Sequence, residues 1–582
     1  MGKPRLTDLL GYNPVPLSTA DEVIVPSGYT ARPFLPWGTP ILGSYPRFVP
    51  GGNTAAEQEQ QMGMHHDGMH YFPFKGGPHG SEHGLLVMNH EATEESFLQT
   101  GTVAVPLPAA WTAEMVRRSQ AAHGVSVVEI RKTRAGDWEV VRGTFNRRIT
   151  TNTPMAFSGP VAGHPLVRTP VDPAGREPVG TLNNCAHGVT PWNTYLTCEE
   201  NFNGYFRVDP GTYSPEDRAL IDRYNVGGDR INWATQDTRF VVTPGSPHEP
   251  NRFGWVVEID PFDPDSRPVK RTALGRVKHE SATVHVSKNG RVVVYTGDDQ
   301  VNEHVYKFVG DLNWHSARAR GRSPLDEGTL YVARFNEDGS GDWLPLTHGS
   351  NGLTAANGFA DQGEVLVKTR LAASVLGATR MDRPEWVAVD PNTEMVYLTL
   401  TNNTSGAKVL GAANPRKPNR WGHIIRWAET DGDHTGTTFD WDLFLIAGQG
   451  VDSLDGSTID AEDGFGSPDG IWSDPDGRVW IQTDGTQPEG ANDQMLAANP
   501  YLTDADGRPE LKRFLTGVRG CEVTGVITTP DQRTMFVNIQ HPGEGSTPTT
   551  GFVSNWPNND GIATPRSATV VITKDDGGVI GS

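Results

Sequence analysis

Five acidic residues of this 582-residue chain share one local setting: Asp67, Glu280, Glu385, Asp469 and Glu522 each open an apolar strand that turns and comes back. Cys185 stands at the same place in a sixth copy. The return strands end in more ligand-type side chains: Asn89-His90-Glu91, Glu199-Glu200, Asp298-Asp299 and Thr483-Asp484. A single acid at a strand end is ordinarily a turn cap or a solvated charge. An aligned set is different if the fold gathers it. Carboxylates brought within about 4–6 Å raise one another's pKa, and burial adds to the effect, so the group must be protonated, paired with bases or filled with cations. Many oxygens suit hard Ca2+, while the thiolate of Cys185 suits iron or zinc. The candidate metal ligands are therefore Asp67, Glu91, Cys185, Glu199, Glu200, Glu280, Asp299, Glu385, Asp469, Asp484 and Glu522. Cys185 taken alone also fits a small buried hydrophobe, and Cys198 and Cys521 are read as structural.

The elements that must position these residues are hairpins. From Glu280 a strand runs through Val284 and Val286, turns at Lys288-Asn289-Gly290 and returns over Arg291–Tyr295. Glu385 repeats this with a turn at Asp390-Pro391-Asn392, Asp469 with Asp474-Pro475-Asp476-Gly477, and Glu522 with Thr529-Pro530-Asp531-Gln532. Asp67 and Cys185 begin looser copies. Alternating apolar strands joined by Asn-Gly and Asp-Pro turns are hairpin signals, and a recurring unit marks a repeat architecture. Six copies predict an all-β, six-bladed β-propeller, because equivalent strand ends of successive blades converge on an axis. Long loops and short helices inserted between the hairpins are expected to decorate one face. Residues 1–60 read as an N-terminal extension packing on a single propeller domain over 61–582. A large two-sheet sandwich or a two-domain β protein also fits the hairpins.

Composition narrows the partners. A formal charge of −20 argues against a nucleic-acid partner, and three cysteines are too few for a disulfide framework. No run of 18 apolar residues predicts a membrane span, and Met1-Gly2-Lys3-Pro4 lacks the apolar core of a signal peptide. There is no G-x-S-x-G elbow, Walker A loop or dinucleotide fingerprint. His65, His66 and His70 cluster near Asp67, but only Asp67 fits the repeat.

Asn183-Asn184-Cys185-Ala186-His187-Gly188, Thr190-Pro191-Trp192, Leu196-Thr197-Cys198-Glu199-Glu200-Asn201, Asn89-His90-Glu91 and Arg383-Pro384-Glu385-Trp386 together resemble the PhoX alkaline phosphatases, over about residues 20 to 575. His187 departs from the pattern, standing where a glycine is expected. The resemblance implies a six-bladed propeller, exported by the twin-arginine route to the periplasm or beyond. It further implies hydrolysis of small-molecule phosphomonoesters, with phosphate as product, by Fe3+ and Ca2+ on the axis, with Cys185 on iron. Glu385 and Arg383 are expected in catalysis, Arg383 as a guanidinium clamp on the phosphate or, alternatively, a salt bridge to an acidic loop. Asn89 is expected to touch the substrate, and the protein to be a monomer. Two other functions fit the hub acids: a calcium-dependent propeller hydrolase acting on lactones or phytate, and a secreted binding propeller with structural calcium. Neither requires a thiolate among the acids.

Overall fold

The computed structural model of the chain describes residues 9–75, 78–103, 107–228, 230–451 and 453–582. Six strands line a central axis: His66–Pro73, Asn184–Val189, His279–Val286, Pro384–Val389, Pro468–Ser473 and Glu522–Thr528. Each packs beside the next, and the sixth returns to the first, so the ring is closed. Each inner strand also begins a sheet that runs outward, antiparallel except at the rim of the second, where Val269–Arg271 pairs in parallel with Ala156–Ser158. The third and fourth sheets are joined at their rims, where Ser340–Pro345 pairs with Thr438–Ile446 to make one nine-stranded sheet. This is a β-propeller, whose radial sheets leave only short edges.

Its sequence pattern follows from burial on both faces. Val292, Val293, Val294 and Tyr295 are all buried, but alternate members enter different cores: Val292 and Val294 face one interblade cluster, Val293 and Tyr295 the next. Leu85 and Val87 separate in the same way from Leu86 and Met88. Strands read as continuous apolar runs when both faces are covered. Glycines allow the inner strands to close: a Cβ on Gly188 would lie 1.8 Å from the Ala282 carbonyl oxygen, and one on Gly525 2.5 Å from that of Asp67.

The repeat is most exact at the axial ends. Every inner hairpin shifts register beside its hub residue, between His66 and Met69, Asn184 and His187, Glu280 and Thr283, Pro384 and Val387, Pro468 and Ile471, and Val523 and Val526. Two residues before the hub position the backbone is left-handed in five blades, at His65, Asn183, Arg383, Ser467 and Gly520; the third blade places the same strain at Ser281. Bulges re-aim side chains, and non-glycine left-handed residues cost on the order of 1–3 kcal/mol each. Repetition around the ring shows a common task, which is to turn the hub side chains onto the axis.

The expected boundary at residue 60 does not hold as drawn. Tyr29–Phe34 pairs antiparallel with Ala568–Lys574 as the outermost strand of the sixth sheet. The rim of that sheet would otherwise expose a row of unpaired backbone groups. Residues 9–25 then lie across the fifth and sixth sheets, where Val15 N–H donates to the Arg513 carbonyl and Ile24 N–H to that of Thr516. Among the described residues, no helix is long and apolar enough to cross a membrane.

The third and fourth blades share a buried ion pair. Lys307 Nζ lies 2.9 Å from Glu429 Oε2, both side chains being 0% exposed, and Glu429 also accepts from Tyr295 O–H at 2.7 Å and Trp343 Nε1 at 3.1 Å. Removing one partner strands the other charge. Lys307→Met should cost about 3–5 kcal/mol in chemical denaturation, and adding Glu429→Gln should recover most of it. A loss of under about 1 kcal/mol for the single variant would show that the pair does not lock the blades.

Candidate functional site

The bulged strand ends deliver their acids to one buried basin. Ligand atoms of Cys185, Glu200 and Glu280 lie within 4.8 Å of one another, as do those of Glu280, Asp299 and Glu385, and those of Asp484, Glu522 and His541. Glu280 belongs to two of these groups and links them. Asp67 enters from the first blade, accepting from Gln540 Nε2 at 3.1 Å, and Glu385 accepts from the Thr401 hydroxyl at 2.7 Å.

Their electrostatics follow from crowding without water. Burial first, then Glu385 and Glu200, pushes the Glu280 carboxyl well above the ordinary range. Burial followed by a neighbouring carboxylate raises Asp67, through Glu91; Glu200 and Glu385, through Asp299; Asp469, through Glu522; and Glu522, through Asp484. The Cys185 thiol rises for the same reasons, burial and then Asp67. Among these acids Asp299 goes the other way: burial opposes its ionisation, but the Arg383 guanidinium outweighs it and lowers its pKa.

Asp67 Oδ1 and Glu280 Oε2 are buried without a hydrogen-bond partner among the described residues, so protein donors and bases satisfy the basin only in part. Carboxylate oxygens, one sulfur and the His541 imidazole fit a group of hard cations with a softer place at Cys185.

Two expected site residues face elsewhere. Glu199 is the buried partner of Lys270, 2.7 Å away with both side chains 0% exposed, and it accepts from the N–H groups of Gly254 and Trp255. Adjacent residues of a strand point to opposite sides, so Glu200 takes the basin and Glu199 the core. Asn89 donates to the carbonyls of Cys185 and Ala186 at 2.6 and 2.8 Å and accepts from Tyr195 and Thr197 at 3.0 and 2.8 Å. It is a strut between the first two blades with no capacity left for a substrate. Cys198 and Cys521 are buried free thiols, packed in apolar clusters. His66 is buried, its pKa driven down to about 3, and bonds the Leu35 carbonyl oxygen.

Two basin residues, His541 and Lys278, were not among the expected ones. His541 sits 3.3 Å from Glu522, directly after Gln540, the partner of Glu522 across its hairpin. The expected ligand Asp484 follows Thr483, the partner of Pro468, in the same way, so register could have found His541. Lys278 precedes Glu280 by two residues, as Arg383 precedes Glu385, and donates to Asn201 and Gln300 at 2.7 and 2.9 Å. Arg383 itself grips Asp299 through two nitrogens at 2.7 and 2.8 Å and lies 3.1 Å from Glu385; its side chain is 26% exposed.

Fold and site define a β-propeller whose axis is built to hold cations. The family model of alkaline phosphatase PhoX matches residues 10–543. The chain belongs to the PhoX alkaline phosphatase family. It is similar to a Pseudomonas fluorescens PhoX solved in complex with vanadate, a transition-state analogue: 44% identity and a TM-score of 0.90 over 98% of this chain and 99% of that one. A protein of unknown function from Dyadobacter fermentans matches over 94% of this chain and 99% of its own, but at 9% identity and a TM-score of 0.36 it carries no argument. No curated protein matches the sequence. The chain is thus a phosphomonoester hydrolase, and the lactonase-like and binding-module readings fall away.

The raised carboxylates set a pH signature. A carboxyl whose pKa is higher in the folded, cation-free protein than in the unfolded chain favours the fold while protonated, and that contribution is lost as pH rises through the raised value. Bound cations hold the same groups ionised and also stabilise by mass action. The difference in denaturation midpoint between untreated and chelator-stripped protein should therefore widen from about pH 5 to about pH 9. A difference that is constant or narrows over this window would contradict the assignment.

Proposed function

We propose that Cys185, Asp67, Glu91, Glu200, Glu280, Asp299, Glu385, Asp469, Asp484 and Glu522 hold Fe3+ and Ca2+, and that Arg383 clamps the phosphoryl group of the ester. When bound, such cations supply Lewis acidity toward the phosphoryl oxygens. The soft sulfur of Cys185 favours iron and the oxygens around it favour calcium. Iron and calcium, rather than zinc, are supported by a donor set with one imidazole, where zinc sites usually have several nitrogen or sulfur ligands.

The observation that carries the clamp is the Arg383 fork. Its two nitrogens already hold both oxygens of the Asp299 carboxylate, and a planar guanidinium matches two phosphoryl oxygens in the same way. The left-handed backbone at Arg383, with φ of 57°, aims the chain inward from the inner strand's start. Glu385, two residues on, lies beside the guanidinium and accepts from Thr401, so it orients Arg383 while facing the cations. The salt-bridge reading and the clamp reading describe one residue in two states, with Asp299 holding the fork until substrate arrives. The family resemblance further supports an exported enzyme that works as a monomer on small phosphomonoesters.

Arg383→Ala should lower kcat/KM on a chromogenic phosphomonoester by about 10²–10³, the usual loss for one donor aimed at developing charge. Arg383→Lys should recover little, because an ammonium is a point charge without the fork. An alanine variant within about threefold of the parent, with metal content unchanged, would remove the clamp.

A further inference from the structure

We propose that Arg230 anchors a second anionic group carried by the leaving group, so that the enzyme favours phosphomonoesters bearing another phosphate or a carboxylate. The inference rests on Arg383 holding the phosphoryl group.

The chain leaves the basin after Glu200 through a turn at Phe202–Tyr205 and makes a long excursion before re-entering the second sheet at Val256–Ile259. Within it, Gly227 N–H donates to the Asn203 carbonyl at 3.0 Å and Arg230 N–H to that of Gly204 at 2.8 Å. These two bonds latch the Arg230 backbone to the turn that follows Glu200. Its side chain is exposed and has as electrostatic neighbours the Tyr205 phenol and the Glu91, Glu200 and Glu544 carboxylates.

The other cations at the basin are engaged. Lys278 donates to Asn201 and Gln300, Arg383 to Asp299, and His541 faces Glu522. Further back, Arg223 is paired with Glu303 and Arg370 with Asp298. The Arg230 guanidinium forms no hydrogen bond or ion pair with a described residue. A guanidinium stays charged at any working pH. Once Glu91 and Glu200 face cations, their attraction for Arg230 is spent, and Glu544, 71% exposed and 3.8 Å from His541, is a solvated rim charge. An unpartnered cation at the mouth of a cleft attracts anions. Arg383 stands beside Asp299 and Glu385 of the third and fourth blades, and Arg230 near Glu91 and Glu200 of the first and second, so the two guanidiniums border different parts of the basin. An ester gripped by Arg383 can extend across the basin toward Arg230.

The test is a ratio within each protein. Values of kcat/KM are measured for glycerol 3-phosphate, for 3-phosphoglycerate, which carries a carboxylate in place of the hydroxymethyl group, and for glycerol 1,3-bisphosphate. In Arg230→Ala, kcat/KM for at least one dianchored substrate relative to glycerol 3-phosphate should fall about tenfold, mainly through KM, the worth of a charge-assisted hydrogen bond at a partly wet site. Whichever ratio falls identifies the carboxylate or the phosphate as the group read. Arg230→Lys should give an intermediate ratio. Because each ratio is internal, a variant that folds poorly still reports it. Both ratios unchanged in Arg230→Ala would overturn the proposal. Failure of the clamp reading shows separately, as full turnover of glycerol 3-phosphate by Arg383→Ala.

Discussion

Repulsion among buried carboxylates is the constraint on which the rest of this structure depends. Glu280 has Glu200 and Cys185 on one side and Asp299 and Glu385 on the other, and burial strengthens every like-charge contact that water would screen. Arg383 relieves it at Asp299 and Glu385, but among the described residues Asp67 Oδ1 and Glu280 Oε2 have no hydrogen-bond donor. With these carboxyls ionised, such an arrangement is tolerable only with cations in place. The ring of blades is thereby coupled to its ligands, since each blade contributes an acid or the thiol and none could relax alone without leaving the others unbalanced.

Holding the acids there strains the backbone, and the strain is distributed. Each inner strand carries a bulge beside its hub residue, and left-handed residues recur at one position before it. Distorted segments persist when their surroundings over-determine them. Here the surroundings are double-faced apolar sheets and buried ion pairs set back from the axis: Lys270 with Glu199, Arg370 with Asp298, Lys307 with Glu429. These pairs use the same residue types as the basin. What separates most of them is a partner: an acid next to a lysine or arginine stabilises the frame, and an acid next to other acids is left for cations, while Asp299 and Glu385, beside both Arg383 and other acids, stand at the boundary.

That distinction marks where the sequence was legible and where it was not. The hairpins and their hub residues could be read because turns and strand starts have local signatures, and the Cys185 segment carried the family resemblance. Glu199 was misplaced because Glu199 and Glu200 are chemically alike, and only the pleat, with Lys270 arriving from a strand seventy residues on, sends one of them to the core. Asn89 was misread because its four partners come from the second blade and leave no local trace. His541 and Lys278 stood in register with assigned residues but differ from them in type. Tyr29–Phe34 looked like an extension because its partner strand lies at the opposite end of the chain.

The central claim is that the axial basin is held together by cations, with iron at the thiolate. Crystals of protein purified without chelator, measured on both sides of the iron absorption edge, test it most directly. The account predicts an edge-dependent anomalous peak within bonding distance of Cys185 Sγ and of Glu280, with further peaks of calcium strength among Glu385, Asp484 and Glu522. A basin without anomalous density, or an iron peak remote from Cys185, would contradict it.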